Sequence, residues 1–361
     1  MNPTQALARA GQSIWLDNLT RDLLTSGTLA RYTAELSVTG LTSNPTIFDQ
    51  AIKSGAAYDE SIRARLRNGI SGEQLFFEVA LEDITRAADL FGPIHERTAG
   101  VDGWVSLEVS PLLAHDAHTT LREAQDLHAR AARPNVFIKI PGTPAGLPAI
   151  EEAIFAGVPI NVTLLFSVEQ YRAAAEAWLR GIERRIEAGL NPDVASVASI
   201  FLSRWDVAVA GKVPAGLTNT LGLAIGQQAY RAYSQLLQSS RWRRVFNAGA
   251  RPQRLLFAST GTKDPKASDT LYIEGLVAPL TINTMPESTL KAFADHGKLG
   301  PELRGDAGDA EKMLGEFRKA GVDLTALALK LQNDGAASFV ASWNNLLGVI
   351  ASKGSALAQA S

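Results

Sequence analysis

Asn135-Val136-Phe137-Ile138-Lys139-Ile140-Pro141-Gly142-Thr143, NVFIKIPGT, is apolar except for one lysine at its centre. Pro134 precedes it and Pro141-Gly142 closes it, the punctuation of a short buried strand. An uncompensated ammonium in such a place costs several kcal/mol, in rough terms, or loses its proton. What surrounds Lys139 therefore bears on fold and function together.

Outward from this strand, short β-rich runs alternate with amphipathic segments over nearly the whole chain. Candidate strands are Gln12–Asp17, Ser37–Ser43, Gly103–Val109, Val136–Ile140, Val158–Leu164, Ala195–Phe201, Arg254–Ser259 and Leu280–Thr284. Leu75, Val79, Ile84 and Ala88 space one intervening helix; Tyr171, Ala175, Trp178, Ile182 and Ile186 space another. Gly92-Pro93 and Gly189-x-Asn-Pro192 read as helix stops. Eight strands alternating with helices imply a parallel sheet, most simply closed into an α/β (β/α)₈ TIM barrel. The barrel is decorated. Pro45–His95 needs three helices, Trp205–Gly249 at least two, and three more follow the eighth strand. No linker marks a second domain, so residues 1–361 are expected to form one decorated domain with a frayed tail from about Lys353.

Composition narrows the function classes. Of 361 residues, 46% are hydrophobic and 20% charged, enough for a sizeable core. A formal net charge of −2 offers no footprint for nucleic acid or anionic membrane. With no cysteine there is no disulfide, thiolate chemistry or Cys-based zinc site. The start, MNPTQALARAGQSIW, lacks an apolar signal region, and no 18-residue apolar run occurs. A soluble, cytoplasmic protein is expected.

Side chains alternate between the faces of a strand, and in a barrel one face meets helices while the other meets the axis. In Val105–Val109, Val105, Leu107 and Val109 take the helix side and leave Glu108 inside. In Val136–Ile140, Lys139 is left inside; in Val158–Leu164, Pro159, Asn161 and Thr163 are. Asp17 ends the first strand facing in, as do Thr42 and Asn44 for the second. Ser199 and Phe201 share the inward parity of the sixth strand, Phe257 and Ser259 that of the seventh. Polar residues thus converge on the C-terminal ends of the strands, where barrel enzymes carry their active sites.

No phosphate-binding Gly-rich loop, HExxH or GxSxG is present, and His95, His115, His118, His128 and His296 fall away from strand ends. An amine nucleophile remains. Desolvation favours a neutral lysine amine, which attacks carbonyls to give a Schiff base. The proton transfers of carbinolamine dehydration and C–C cleavage suit two carboxyls in different environments. Asn44, Asn161, Thr163 and Ser199 offer partners to a polyhydroxylated substrate.

WLDNL (Trp15–Leu19), TSNPTIF (Thr42–Phe48), SLEVSP (Ser106–Pro111), FIKIPGT (Phe137–Thr143), INVTLLFS (Ile160–Ser167) and SxFLSR (Ser199–Arg204) together resemble the transaldolases. The resemblance runs from about residue 12 to about residue 350, and to the long bacterial form with extra helices; the isomerase domain fused to some members is not expected. It implies transfer of a dihydroxyacetone unit from sedoheptulose 7-phosphate or fructose 6-phosphate to an aldose phosphate, in the non-oxidative pentose phosphate pathway. It further implies Lys139 as the Schiff-base lysine and Asp17 as the acid/base at the C4 hydroxyl. Glu108, with Thr163 and a water between them, would shuttle protons during carbinolamine formation and loss. Asn44, Asn161 and Ser199 would hold dihydroxyacetone hydroxyls, beside Phe201, and Arg204 with Ser259 would bind phosphate. Many members have an arginine shortly after this serine; here ASTGTKDP (Ala258–Pro265) puts Lys263 in that role, a point charge rather than a fork. Trp205 stands where a smaller residue is more usual. No cofactor and no metal are expected, and the chain would be a monomer or homodimer.

Other readings compete. Lys139 could pair with Glu108 or Asp17 structurally, Asp17 could cap the helix that follows, and Asn44-Pro45 could simply open one. Arg204 could pair with Asp206, and Arg241–Arg244 (RWRR) reads as a solvated helix face. A fructose 6-phosphate aldolase that releases dihydroxyacetone, or a barrel that binds sugar phosphates without turnover, would also carry much of this pattern.

Overall fold

A computed structural model describes residues 2–359, with side chains as far as Leu357. Eight parallel strands close on themselves in sequence order: β1 (Ser13–Asp17), β2 (Val38–Thr42), β3 (Val105–Glu108), β4 (Val136–Pro141), β5 (Ile160–Leu165), β6 (Ser196–Phe201), β7 (Gln253–Ala258) and β8 (Ile282–Met285). The closing pair is β1 and β8. Each strand falls where the apolar run predicts it, because both faces of a barrel strand are covered and demand apolar or enclosed residues.

The lower part of the barrel is plugged by aromatic rings. Trp104 stacks on Phe137 at a centroid distance of 4.0 Å, and Trp15 lies 6.2 Å from Phe137. Gly40 makes room for this plug: a Cβ there would sit 2.7 Å from both Trp104 O and Trp15 Nε1. The buried indole of Trp15 donates to Asp102 Oδ1 at 2.8 Å. With these rings filling the lower axis, the barrel interior opens towards the strand C-termini.

Helices fill the connections as expected in number. Pro45–Lys53, Asp59–Arg67 and Gly72–Arg97 follow β2; Ser203–Val209, Leu221–Gln238 and Ser240–Asn247 follow β6; Glu287–His296, Ala310–Lys319 and Leu324–Gln359 follow β8. A further helix, Pro3–Arg9, precedes β1, begun by a reciprocal cap between Asn2 and Gln5.

Two boundaries differ from the sequence reading. Gly92-Pro93 does not end its helix, which continues to Arg97. Pro93 is exposed while Phe91 and Ile94 are buried, so water can satisfy the carbonyl that loses its donor and core packing holds the rest. The stretch from Lys353, expected to fray, continues the last helix to Gln359; Lys353 is tied down by Asp59 at 2.7 Å and by Ile52 O at 2.9 Å. Residues 360–361 lie outside the described residues.

The RWRR segment is also more than a solvated face. Trp242 is buried against Trp178, and Arg241 pairs with Glu176 and Glu183 at 2.5 and 2.7 Å. Among the described residues, no helix is long and apolar enough to cross a membrane.

Candidate active site

Register sets the site. Glu108 of β3 pairs with Lys139 of β4, which pairs in turn with Asn161 of β5, so three polar side chains stand side by side on the inner wall. On the other side of β3, Asp17 of β1 pairs with Thr42 of β2. Above them opens a cavity of about 620 Å³, within the usual size range for small-molecule sites. Asp17, Asn44, Lys139, Thr163, Ser199, Phe201, Arg204, Ser259 and Lys263 all line it.

Glu108 and Asn161 are not in its wall but belong to the layer beneath. Asn161 is fully buried; it accepts from Ser199 Oγ at 2.7 Å and donates to Ser106 Oγ at 3.1 Å. It therefore orients Ser199 from the layer beneath the cavity. Glu108 Oε2 lies 3.7 Å from Lys139 Nζ, and both residues are buried. Lys139 Nζ also donates to Ser43 O at 3.0 Å. Neither carboxylate oxygen of Glu108 nor Thr163 Oγ1 has a hydrogen-bond partner among the described residues. Three unsatisfied buried oxygens around one amine are costly to a fold and mark a functional site.

Asp17 does not cap the helix after β1; Thr20 does, accepting from Leu23 N at 3.1 Å. Asp17 instead accepts from Thr42 Oγ1 at 2.8 Å, and Thr42 in turn meets the Thr284 hydroxyl at 2.8 Å. Thr284, one strand away on β8, was not legible as a site residue, since only barrel closure brings β8 beside β1. Asn44 does both things open to it: its side chain accepts from Ile47 N at 3.1 Å, capping the Pro45–Lys53 helix, and it reaches the cavity.

Arg204 makes no ion pair with Asp206. Asp206 accepts from Leu221 N, Gly222 N and Tyr272 Oη at 2.9, 3.0 and 2.7 Å. The half-buried guanidinium of Arg204 lies 5.5 Å from the ring centroid of Phe201, with no carboxylate partner among the described residues. Trp205 is fully buried and donates to Phe166 O at 3.0 Å, which accounts for a large residue at this position. Lys263 is exposed at the cavity rim.

On β7 simple alternation misleads. Phe257 pairs with Ile200 and shares its helix-facing side, while Ala258 pairs with Phe201 and reaches the cavity. Ser259 enters the cavity because its backbone turns left-handed, at φ 55°, and its hydroxyl meets that of Ser203 at 2.8 Å. The last helix supplies Ser338 and Phe339 to the cavity, neither of which any strand pattern could have pointed to.

Burial dominates the electrostatics. It pushes the Glu108 carboxyl up to about 7, against the opposing pull of Lys139. It raises Asp17 as well, opposed by Lys139, the Thr42 hydrogen bond and Lys263. Burial lowers Arg204. Two carboxyls raised by burial, one on β3 next to the Lys139 strand and one across β2 on β1, thus share the barrel mouth with one amine.

Fold and site together define a (β/α)₈-barrel enzyme with an amine at the floor of its mouth. The family model described as Transaldolase/Fructose-6-phosphate aldolase matches residues 14–350, and the chain belongs to that family. It is 45% identical to a transaldolase of Thermobifida fusca (strain YX), over 97% of this chain and 98% of that one. A transaldolase of Thiobacillus denitrificans (strain ATCC 25259 / T1) is 42% identical, over 97% and 100%. One of Parafrankia sp. (strain EAN1pec) is also 42% identical, over 96% and 97%.

Proposed function

We propose that this chain is a transaldolase that moves a dihydroxyacetone unit between sugar phosphates through a Schiff base on Lys139. The observation that carries the proposal is the position of the Lys139 amine at a cavity floor, 3.7 Å from a buried, partnerless carboxyl and in the same cavity as Asp17.

Nζ of Lys139 attacks the ketose C2 carbonyl, and the proton that the nitrogen loses passes to the resulting oxyanion to give a carbinolamine. Glu108, protonated up to about pH 7, then supplies the proton that lets hydroxide leave as water, relayed by a water held between Glu108 and Thr163. Asp17 removes the C4 hydroxyl proton as the C3–C4 bond breaks, and the bonding pair flows into the iminium nitrogen. The aldose product departs and an enamine remains. An acceptor aldose then reverses these steps: the enamine carbon attacks its carbonyl while Asp17 returns the proton, and water hydrolyses the new imine. Ping-pong kinetics follow.

Asn44 and Ser199 would hold hydroxyls of the three-carbon unit, with Asn161 orienting Ser199. Arg204, Ser259 and Lys263 would receive the phosphate; a half-buried guanidinium without a carboxylate partner is suited to an anionic ligand. Phe201 and Phe339 give the enamine apolar walls.

The test is borohydride reduction in the presence of fructose 6-phosphate without acceptor, followed by peptide mass mapping. Label confined to Lys139, with glyceraldehyde 3-phosphate released and no free dihydroxyacetone, is the expected result. Label on another lysine sinks the mechanism; free dihydroxyacetone accumulating catalytically assigns the chain to the aldolase side of its family; no label makes it a binder.

A further inference from the structure

The helix Leu324–Gln359 crosses the mouth of the barrel, and Gln332, Gly335, Phe339 and Trp343 follow one another along one of its faces. Phe339 lines the cavity. Gln332, nearly two turns earlier, is 2% exposed, and its Nε2 donates to two backbone carbonyls: Gly142 O at 3.2 Å and Leu164 O at 2.9 Å. Gly142 directly follows β4, the strand of Lys139. Leu164 directly follows Thr163 on β5.

These two tips are already joined, since Gly142 N donates to Thr163 O at 2.8 Å. The β5 tip is also the strained one. Leu164 is left-handed at φ 58°, and the β5–β6 register slips between Val162 and Leu165. A leucine holds that conformation only where its surroundings enforce it. The helix comes close enough to do so: a Cβ on Gly335 would sit 3.0 Å from Leu164 Cδ2 and 3.3 Å from Arg204 Nη1. Packing alone would be served by leucine or methionine at position 332. The amide adds two aimed hydrogen bonds.

We propose that Gln332 is a positioning residue of the active site: its amide, delivered by the C-terminal helix, locks the tips of β4 and β5 so that Lys139 and Thr163 meet the substrate in one fixed arrangement. Gln332 acts through Leu164 and Gly142 and does not touch substrate. The inference rests on the roles proposed above for Lys139 and Thr163.

Two variants of the full chain test it, both assayed well below their melting temperatures with folding checked by circular dichroism. Gln332→Met keeps the length and removes both donors. It is expected to lower kcat and the rate of borohydride-trappable adduct formation about ten- to a hundredfold, with the KM for the phosphorylated donor changed less than about twofold. Gln332→Glu turns a carboxylate towards two carbonyl oxygens. Relative to wild type at each pH, its trapping rate should be depressed at about pH 8 and recover towards about pH 5, where a protonated carboxyl can again donate.

A folded Gln332→Met protein with wild-type kcat and trapping rate overturns the proposal, as does one whose only change is a lower melting temperature. Should Gln332→Met fail to fold, a Gln332→Glu trapping rate with no pH-dependent recovery overturns it instead. If wild type itself is not trapped at Lys139, the assignment of the lysine fails, an outcome distinct from variants that match a trapped wild type.

Discussion

Glu108 Oε2 stands 3.7 Å from Lys139 Nζ, on the adjacent strand and at the same register. Both side chains are buried, and apart from this ion pair the Glu108 carboxylate has no protein partner among the described residues. A structural ion pair would be closer and would have its remaining oxygens satisfied, because leaving them bare forfeits most of what the pair contributes. A carboxyl held near its amine but not tied to it can exchange protons with whatever binds between.

Lys139→Ala is expected to abolish reductive trapping and transfer together, since Lys263, the other lysine lining the cavity, stands at its exposed rim rather than at its floor. Mass spectrometry after borohydride treatment reads this directly, and residual label at the wild-type level would remove Lys139 from the mechanism.

Asp17→Ala should separate the two stages. Adduct formation is assigned to Lys139 and Glu108, so trapping with fructose 6-phosphate is expected to survive, while transfer falls by about two to four powers of ten. Loss of trapping as well would show that the division of labour between the carboxyls is wrong.

Glu108 links stability to pH. Its pKa is raised from 4.5 to about 7 in the folded protein, so the fold favours the protonated form. The stability tied to this group is whole below about pH 4.5 and is lost as pH rises through about 7, at up to ~1.4 kcal/mol per unit within that window. Glu108→Gln should therefore melt higher than wild type near neutrality and above, with the gap narrowing on acidification. It should also remove the ionisation near 7 from the pH profile of trapping. Calorimetric melting across the window settles the first point; an unchanged gap at every pH would refute it.

Arg204→Leu is expected to raise the KM for phosphorylated donors about ten- to a hundredfold, the usual range for losing charge-assisted hydrogen bonds. The unphosphorylated ketose should be affected far less. Equal losses for both would place the phosphate elsewhere.

Trp205→Phe tests the fold beside the site. It leaves the buried carbonyl of Phe166 without its donor and should cost about 1–3 kcal/mol of stability by denaturant titration, with little change in KM.

Much of this was written in local sequence. Alternation within NVFIKIPGT, SLEV and INVTLL put Lys139, Glu108, Asn161 and Thr163 on the inner wall because a strand has a strict period of two and its helix-facing side tolerates only apolar groups. Eight such runs alternating with helices leave few ways to close other than a barrel, and closure brings their C-terminal ends to one mouth. The tertiary structure decided the rest. Ser259 and Leu164 depart from alternation through single left-handed residues whose conformation neighbours impose. Thr284 reaches the Asp17 network only because β8 closes against β1. Ser338, Phe339 and Gln332 arrive from a helix whose contacts with the strand tips span 168 and 190 residues of chain. Periodicity is a property of consecutive residues and carries no information about which distant helix will cover the mouth; that is set by packing against the completed barrel.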